Sequence, residues 1–141
     1  MLNVWLAAAV LAAIGFAAVP ADPVAFKTLD AGSQGIESKR EVTVRTAAEW
    51  TSLWKEIGSA KPRPAVDFAK STVLGIFLGS RPTAGFSVVI DTIDRQGAEV
   101  VVIYRERGPA PTDMVAQMLT APYLLVTVDK IDGRVRFVRA P

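Results

Sequence analysis

The sequence predicts an α+β fold in which one amphipathic helix packs on a mostly antiparallel, strongly curved or barrel-like sheet of about five to seven strands. Three observations support this prediction. One segment has helical periodicity, several others have strand periodicity with short turns between them, and 141 residues are enough for a single domain. We divide the chain into a signal peptide (1–21), a flexible segment with an edge strand (22–40) and one globular domain (41–141).

The first segment is predicted to be removed on export. Residues 1–21 contain no charged side chain and are almost entirely apolar. The apolar run is shorter than the roughly 20 residues that span a bilayer, and it ends at Val19, Pro20 and Ala21. This pattern indicates a signal peptide cleaved after Ala21, and hence a periplasmic or secreted protein. An uncleaved N-terminal membrane anchor is the alternative.

Composition excludes several kinds of chemistry. The chain has no cysteine and no histidine, so it lacks disulfides, a lipidation cysteine, the usual general base and the commonest zinc ligand. Its net charge of +2 is too balanced to indicate nucleic acid or a membrane surface as a partner. We therefore predict no catalytic residues, no metal site and no cofactor.

Three short segments precede the helix. Residues 24–29 predict a short edge strand, and the glycines and serines of residues 30–39 predict a mobile loop. Residues 41–45 alternate polar and apolar side chains, which indicates a half-buried strand.

The helix is the clearest local prediction. Thr46 and Glu49 have the spacing of a capping box, and Gly58 is suited to end the helix. The apolar stripe between them has helical spacing and consists of Trp50, Leu53, Trp54 and Ile57. We predict that Trp50 and Trp54 are core residues pressed against a sheet. One exposed tryptophan that contacts a partner is the alternative.

The second half of the chain is rich in strands. Residues 72–78, 86–93, 99–105 and 123–129 predict core strands, and residues 134–138 a final edge strand. The second and third of these are joined by a short turn and predict an antiparallel hairpin. Phe68 and Phe77 are assigned to the core. Residues 114–119 predict one or two helical turns within the long connection 108–122.

Two stiff loops are the candidate binding elements. In residues 79–86, Pro82 restricts the backbone and Gly85 permits a positive φ, so that Arg81 is expected to face solvent and Phe86 the sheet. The second loop, residues 106–123, contains three prolines and apolar side chains that need burial or a partner. The predicted partner-binding residues are Arg81, Pro82, Thr83, Phe86, Arg107, Pro109, Pro122 and Tyr123.

The same segments resemble a known family. The similar residues are Trp50 and Trp54, Val66-Asp67-Phe68, the loop 78–86, Arg105-Glu106-Arg107-Gly108-Pro109 and Thr120-Ala121-Pro122-Tyr123. They resemble the PrcB C-terminal domain family, although Ala84 stands where the family usually has a glycine. The resemblance implies an extracytoplasmic bacterial domain, and the family takes its name from a lipoprotein that associates with and stabilises a surface serine protease.

These observations lead to one functional prediction and three alternatives. We predict an exported, non-enzymatic domain that binds another protein, with an exported protease as the implied partner. Residues 81–86 are also similar to a loop of the chagasin family, which makes a protease inhibitor one alternative. The others are a hydrolase that works without histidine or cysteine and a small-ligand binder. The latter would need an apolar cavity lined by Phe77, Val88, Ile90 and Val102.

Overall fold

The computed structural model describes residues 22–141, so the predicted signal peptide lies outside the described residues. Their elements are β1 (Asp22–Pro23), β2 (Phe26–Gly32), β3 (Arg40–Val44), α1 (Ala47–Ile57), β4 (Ser71–Phe77), β5 (Ser87–Gln96), β6 (Glu99–Arg107), β7 (Tyr123–Asp129) and β8 (Arg134–Arg139). Within this range, no helix combines the length and the apolar character needed to cross a membrane.

The strands form two four-stranded sheets. The outer sheet has the order β1-β5-β6-β8, and the middle sheet has the order β2-β7-β4-β3. Every pairing is antiparallel except that of β6 with β8, which is parallel. The chain leaves the outer sheet after β6, adds β7 to the middle sheet and then returns, which allows β8 to run beside β6 in the same direction.

The α+β class with one helix is confirmed, but the single barrel-like sheet is wrong. The two sheets stack on each other, and about eight strands are present instead of five to seven. Strand β4 explains the difference, because it is buried on both faces. One face contributes to an apolar cluster with the outer sheet and the other to a cluster with α1. The described residues thus form three layers: α1, the middle sheet and the outer sheet.

Local sequence determines the ends of α1. The Thr46 hydroxyl accepts from the Glu49 amide at 3.2 Å and donates to the Glu49 carboxylate at 3.0 Å. Gly58 ends the helix with a φ of 69°. Trp50 and Trp54 are buried against the middle sheet with ring centroids 5.6 Å apart, and the Trp50 indole donates to the Pro64 carbonyl at 2.9 Å.

Two predicted segments differ from the structure. Strand β2 pairs with β7 and continues to Gly32, so it includes the first residues of the predicted mobile loop, and a bulge lies between Thr28 and Asp30. Residues 114–119 contain no helix. They follow an irregular path, in which the Ala116 carbonyl accepts a hydrogen bond from the Ala84 amide of the 79–86 loop instead of from a local helical donor.

Candidate functional site

The two predicted binding loops lie side by side at one end of the stacked sheets. Arg81 and Thr120 exchange both backbone hydrogen bonds, at 2.7 and 3.0 Å, and form an isolated antiparallel bridge. The Ala84 amide donates to the Ala116 carbonyl at 3.0 Å, and the Thr120 hydroxyl donates to the Thr83 carbonyl at 2.8 Å. We call the surface formed by residues 79–86 and 108–121 the loop face.

A third segment supports the loop face from the N-terminal side. The Gly35 amide donates to the Ala121 carbonyl at 2.8 Å, and the Ala121 amide donates to the Ser33 carbonyl at 2.7 Å. The Ser80 amide donates to the Glu37 carbonyl at 3.0 Å. These bonds join residues 33–37 to both loops, so the loop face is fixed by backbone hydrogen bonds from three segments.

An ion-pair cluster fixes the start of the first loop. The Glu106 carboxylate, on the core-facing side of β6, accepts two hydrogen bonds from the Arg81 guanidinium. The Arg139 guanidinium donates to the same carboxylate at 2.5 Å, and Arg81 also donates to the Leu78 and Ser80 carbonyls. The hydrogen bonds from Arg81 lower the pKa of Glu106 against the opposing effect of burial, and the charges of both arginines add to this shift.

This cluster corrects the prediction that Arg81 faces solvent. Its side chain is only 20% exposed and is paired with Glu106, which is 16% exposed. A guanidinium that leaves water needs an anion and hydrogen-bond acceptors. Glu106 on β6 supplies the anion, and the Leu78 and Ser80 carbonyls are further acceptors. Sequence reasoning missed Glu106 and Arg139 because their pairing with Arg81 depends on the approach of three segments far apart in the chain.

Apolar contacts fill the space beneath the loops. Gly85 has a φ of 95°, and a Cβ atom there would lie 3.0 Å from carbon atoms of Pro109 and Val115. A Cβ atom at Gly108 would lie 3.2 Å from the Phe86 ring. Both glycines therefore allow close approach between the loops, and Phe86 and Pro109 are half-buried between them.

The outer surface of the second loop is apolar and exposed. Met114 is fully exposed, and Met118 and Leu119 are 49% and 75% exposed. They are three of the four exposed large hydrophobic side chains in the described residues, and the fourth, Phe26, begins β2. They are the apolar side chains of residues 106–123 that the sequence predicts to need burial or a partner. The predicted contact residues do not include them.

The predicted contact residues have different positions. Pro82 and Arg107 are exposed and Thr83 is half-buried, so all three can contribute to a surface contact. Pro122 and Tyr123 instead lie in the core. Tyr123 begins β7 and stacks on the Phe77 ring at 5.8 Å, because strand pairing directs its side chain toward the helix layer.

The Tyr123 hydroxyl has a buried polar partner. It donates to Asp30 Oδ2 at 2.7 Å, and Lys61 Nζ contacts Asp30 Oδ1 at 2.7 Å. Burial raises the pKa of Asp30, but the hydrogen bonds from Lys61 and Tyr123 outweigh burial and lower it overall. Burial and the bond to Asp30 raise the pKa of Tyr123. The tyrosine is therefore a core residue that ties β7 to β2.

The structure describes the acidic side chains and the apolar cavity residues on which the hydrolase and small-ligand-binder alternatives depend. The enclosed carboxylates of Asp30 and Glu106 are each occupied by cationic or hydroxyl donors. In residues 22–141, no group of three acidic side chains is arranged to hold a metal ion. The cavity residues Phe77 and Val102 belong to clusters on opposite sides of the middle sheet, so they cannot line one cavity.

Comparison with known families adds a specific finding for the segment that contains both loops. Residues 72–129 match the family described as PrcB C-terminal. The resemblance seen in the sequence is thereby confirmed for these residues. No curated protein and no solved structure matched the chain.

The PrcB C-terminal segment runs from β4 through β7. It includes the loop face and Glu106, whereas α1 and residues 66–68, which contributed to the resemblance, precede it. Strands β4 and β7 of this segment belong to the middle sheet, and β5 and β6 belong to the outer sheet. Residues outside the segment, including β3 and β8, complete the two sheets.

Proposed function

We propose that this chain is an exported, non-enzymatic domain that binds another protein, foremost an exported protease, through its loop face. The exposure of three large apolar side chains within one short segment of the loop face, Met114, Met118 and Leu119, is the observation that carries the proposal, and we call these three residues the apolar patch. Several large apolar side chains exposed to water on one loop are typical of interaction surfaces, and methionine adapts to irregular partner surfaces. The PrcB C-terminal match supports a protease complex as the setting.

The fixed backbone beneath the patch favours binding. Hydrogen bonds from Arg81, Ala84 and Thr120 hold the second loop, and Gly35 and Ala121 add a further backbone bond. A loop that is already ordered loses less conformational entropy when a partner binds. Pro82 lies on the neighbouring loop and Arg107 at the start of the same connection, both are exposed, and they would extend the contact with rigid and charged groups.

A capture experiment with a matched control tests this proposal. The first variant replaces Met114, Met118 and Leu119 with serine, and the control replaces Phe26 with serine. Phe26 is also exposed and apolar, but it pairs with Val128 at the far end of β7 from the loop face. We expect the wild type and the control to retain the same protein from an extracytoplasmic extract of the native bacterium, and the triple variant to lose it.

Purified components then test the effect on the partner. A stabilising factor should extend the active lifetime of the captured protease, whereas a chagasin-like inhibitor should reduce cleavage of its substrate. Equal capture by all three proteins would remove the loop face as the binding surface. Retention of no protease would remove the protease-associated part of the proposal.

A further inference from the structure

The edge of β3 and the side of α1 form a groove that is separate from the loop face. The groove is open and has a volume of about 550 Å³. Residues 42–44 form one wall, Ala48 and Ser52 lie on the other, and nearly buried Leu53 also lines the groove. Strand β3 is the last strand of the middle sheet, so its outer edge has no strand partner among the described residues.

Residues 42–44 of this edge lack the features that protect the other three edges, whereas β3 begins with the charged residues Arg40 and Glu41. Strand β1 has two residues and includes Pro23, β2 contains a bulge and Lys27, and β8 carries three arginines. Residues 42–44 have the sequence Val-Thr-Val, and β3 pairs with β4 without a bulge. Bulges, prolines and charges discourage pairing at a sheet edge, so β3 is the edge best suited to accept another strand.

The helix gives the edge a shape suited to an extended peptide. Eleven residues of α1 extend about 16 Å, and the five residues of β3 extend about 17 Å, so the two walls have similar lengths. A peptide added to β3 would gain backbone hydrogen bonds from the strand and apolar contact with Leu53. Domains that recognise peptides by strand addition use this combination of an edge strand and an adjacent pocket.

The charge of the helix wall indicates the chemistry of the peptide. Glu49 and Glu56 both line the groove. Arg40 contacts Glu56 at 2.9 Å, and Glu49 accepts only the Thr46 hydroxyl among the described side-chain bonds. The wall therefore has an excess of negative charge, and a lysine or arginine of the peptide would complement it.

The same charge disfavours a second copy of this chain as the occupant. Antiparallel pairing of β3 with β3 of another copy would bring two acidic helix walls toward each other across the seam. Like charges at an interface oppose association, whereas a basic partner segment gains from the same wall. We propose that the β3–α1 groove binds an extended basic segment of a partner protein by strand addition. This groove does not depend on the loop face, so either proposal can fail alone.

Binding of synthetic peptides tests the proposal. The protein is purified from bacteria that express the full chain. The probe is a six-residue peptide that alternates valine and threonine and has a lysine at one end. The comparison peptide has glutamate in place of that lysine. We expect the lysine peptide to shift the amide NMR signals of residues 42–44 and to bind about three- to tenfold more tightly. The Glu49→Gln, Glu56→Gln double variant should remove this preference, whereas Asp129→Asn with Asp132→Asn should retain it.

Methylation of the peptide backbone distinguishes strand addition from binding by charge or apolar contact alone. In a strand, alternate amides face the neighbouring edge, so N-methylation of one alternate set should weaken binding about tenfold or more and methylation of the other set should have little effect. This arm uses the unaltered protein and is independent of the variants. Equal effects of both sets, no shift at residues 42–44, or no binding at millimolar peptide would overturn the proposal. Self-association through residues 42–44 would assign the groove to a second copy instead.

Discussion

Replacement of Glu106 by glutamine tests how the loop face is held. The change removes the negative charge that pairs with Arg81 and Arg139 and weakens hydrogen bonds from both guanidinium groups. Hydrogen bonds to charged groups contribute about 1.5–3 kcal/mol, and breaking a fully buried pair costs about 3–5 kcal/mol. Glu106 and Arg81 are 16% and 20% exposed and Arg139 is 40% exposed, so solvent screening reduces the loss.

We therefore expect Glu106→Gln to lower the free energy of unfolding by about 2 kcal/mol at pH 7. For a domain of this length, that loss corresponds to a fall in Tm of roughly 6–10 °C. Thermal unfolding followed by circular dichroism measures it. The matched control is Glu99→Gln, which removes an ion pair with Arg136 in which the side chains are 30% and 46% exposed. The control should lose less than about 1 kcal/mol.

The pH dependence gives a second test of the same variant. The folded pKa of Glu106 is lowered, so its stabilising effect is fully present above the ordinary glutamate pKa of about 4.3. The effect is lost as pH falls through the lower pKa of the folded state. The difference in Tm between wild type and Glu106→Gln should therefore shrink toward pH 2. A difference that persists at low pH, or one no larger than that of Glu99→Gln at pH 7, would refute the ion-pair explanation.

Two further changes test the packing around the loops and β7. Tyr123→Phe keeps the stacked ring but removes the hydrogen bond to Asp30, so the free energy of unfolding in urea should fall by about 1–2 kcal/mol, and an unchanged value would contradict a role for that bond. Gly85→Ala combines a φ of 95° with a close approach to Pro109, whereas Gly97→Ala has a φ of 62° and open space around the new Cβ atom. We expect the first alanine variant to lose about 1 kcal/mol more than the second, because both carry backbone strain but only Gly85→Ala also crowds a neighbour. Equal urea midpoints would show that the contact between the loops can relax freely.

Periodicity and capping residues are local properties, and they located α1 and the strands. Thr46 and Gly58 define the helix ends through bonds within a few residues. The β5–β6 hairpin was predictable because its turn is short. The prediction of helical turns in residues 114–119 was wrong, because the Ala116 carbonyl bonds to the Ala84 amide of the other loop in place of a local donor.

The sequence did not show which strands pair with each other, and only the tertiary structure identified the partners. The alternation of residues 41–45 indicates a half-buried strand but does not specify β4 as its neighbour or leave its other edge open. The division into two sheets likewise depends on β7 pairing with β4 in the middle sheet, although β7 follows β6 of the outer sheet in the chain. A period of two residues identifies the faces of a strand without identifying the strand that will cover either face.

The sequence alone determined the α+β class, the single capped helix, the two stiff loops and the resemblance to the PrcB C-terminal family. Only tertiary structure showed that Arg81 is bound by Glu106, that Tyr123 is buried, and that Met114, Met118 and Leu119 are exposed. The physical reason is the sequence separation over which each interaction acts. Dihedral preferences, caps and periodicity act over a few residues, whereas burial and charge pairing depend on segments that meet only when the sheets stack.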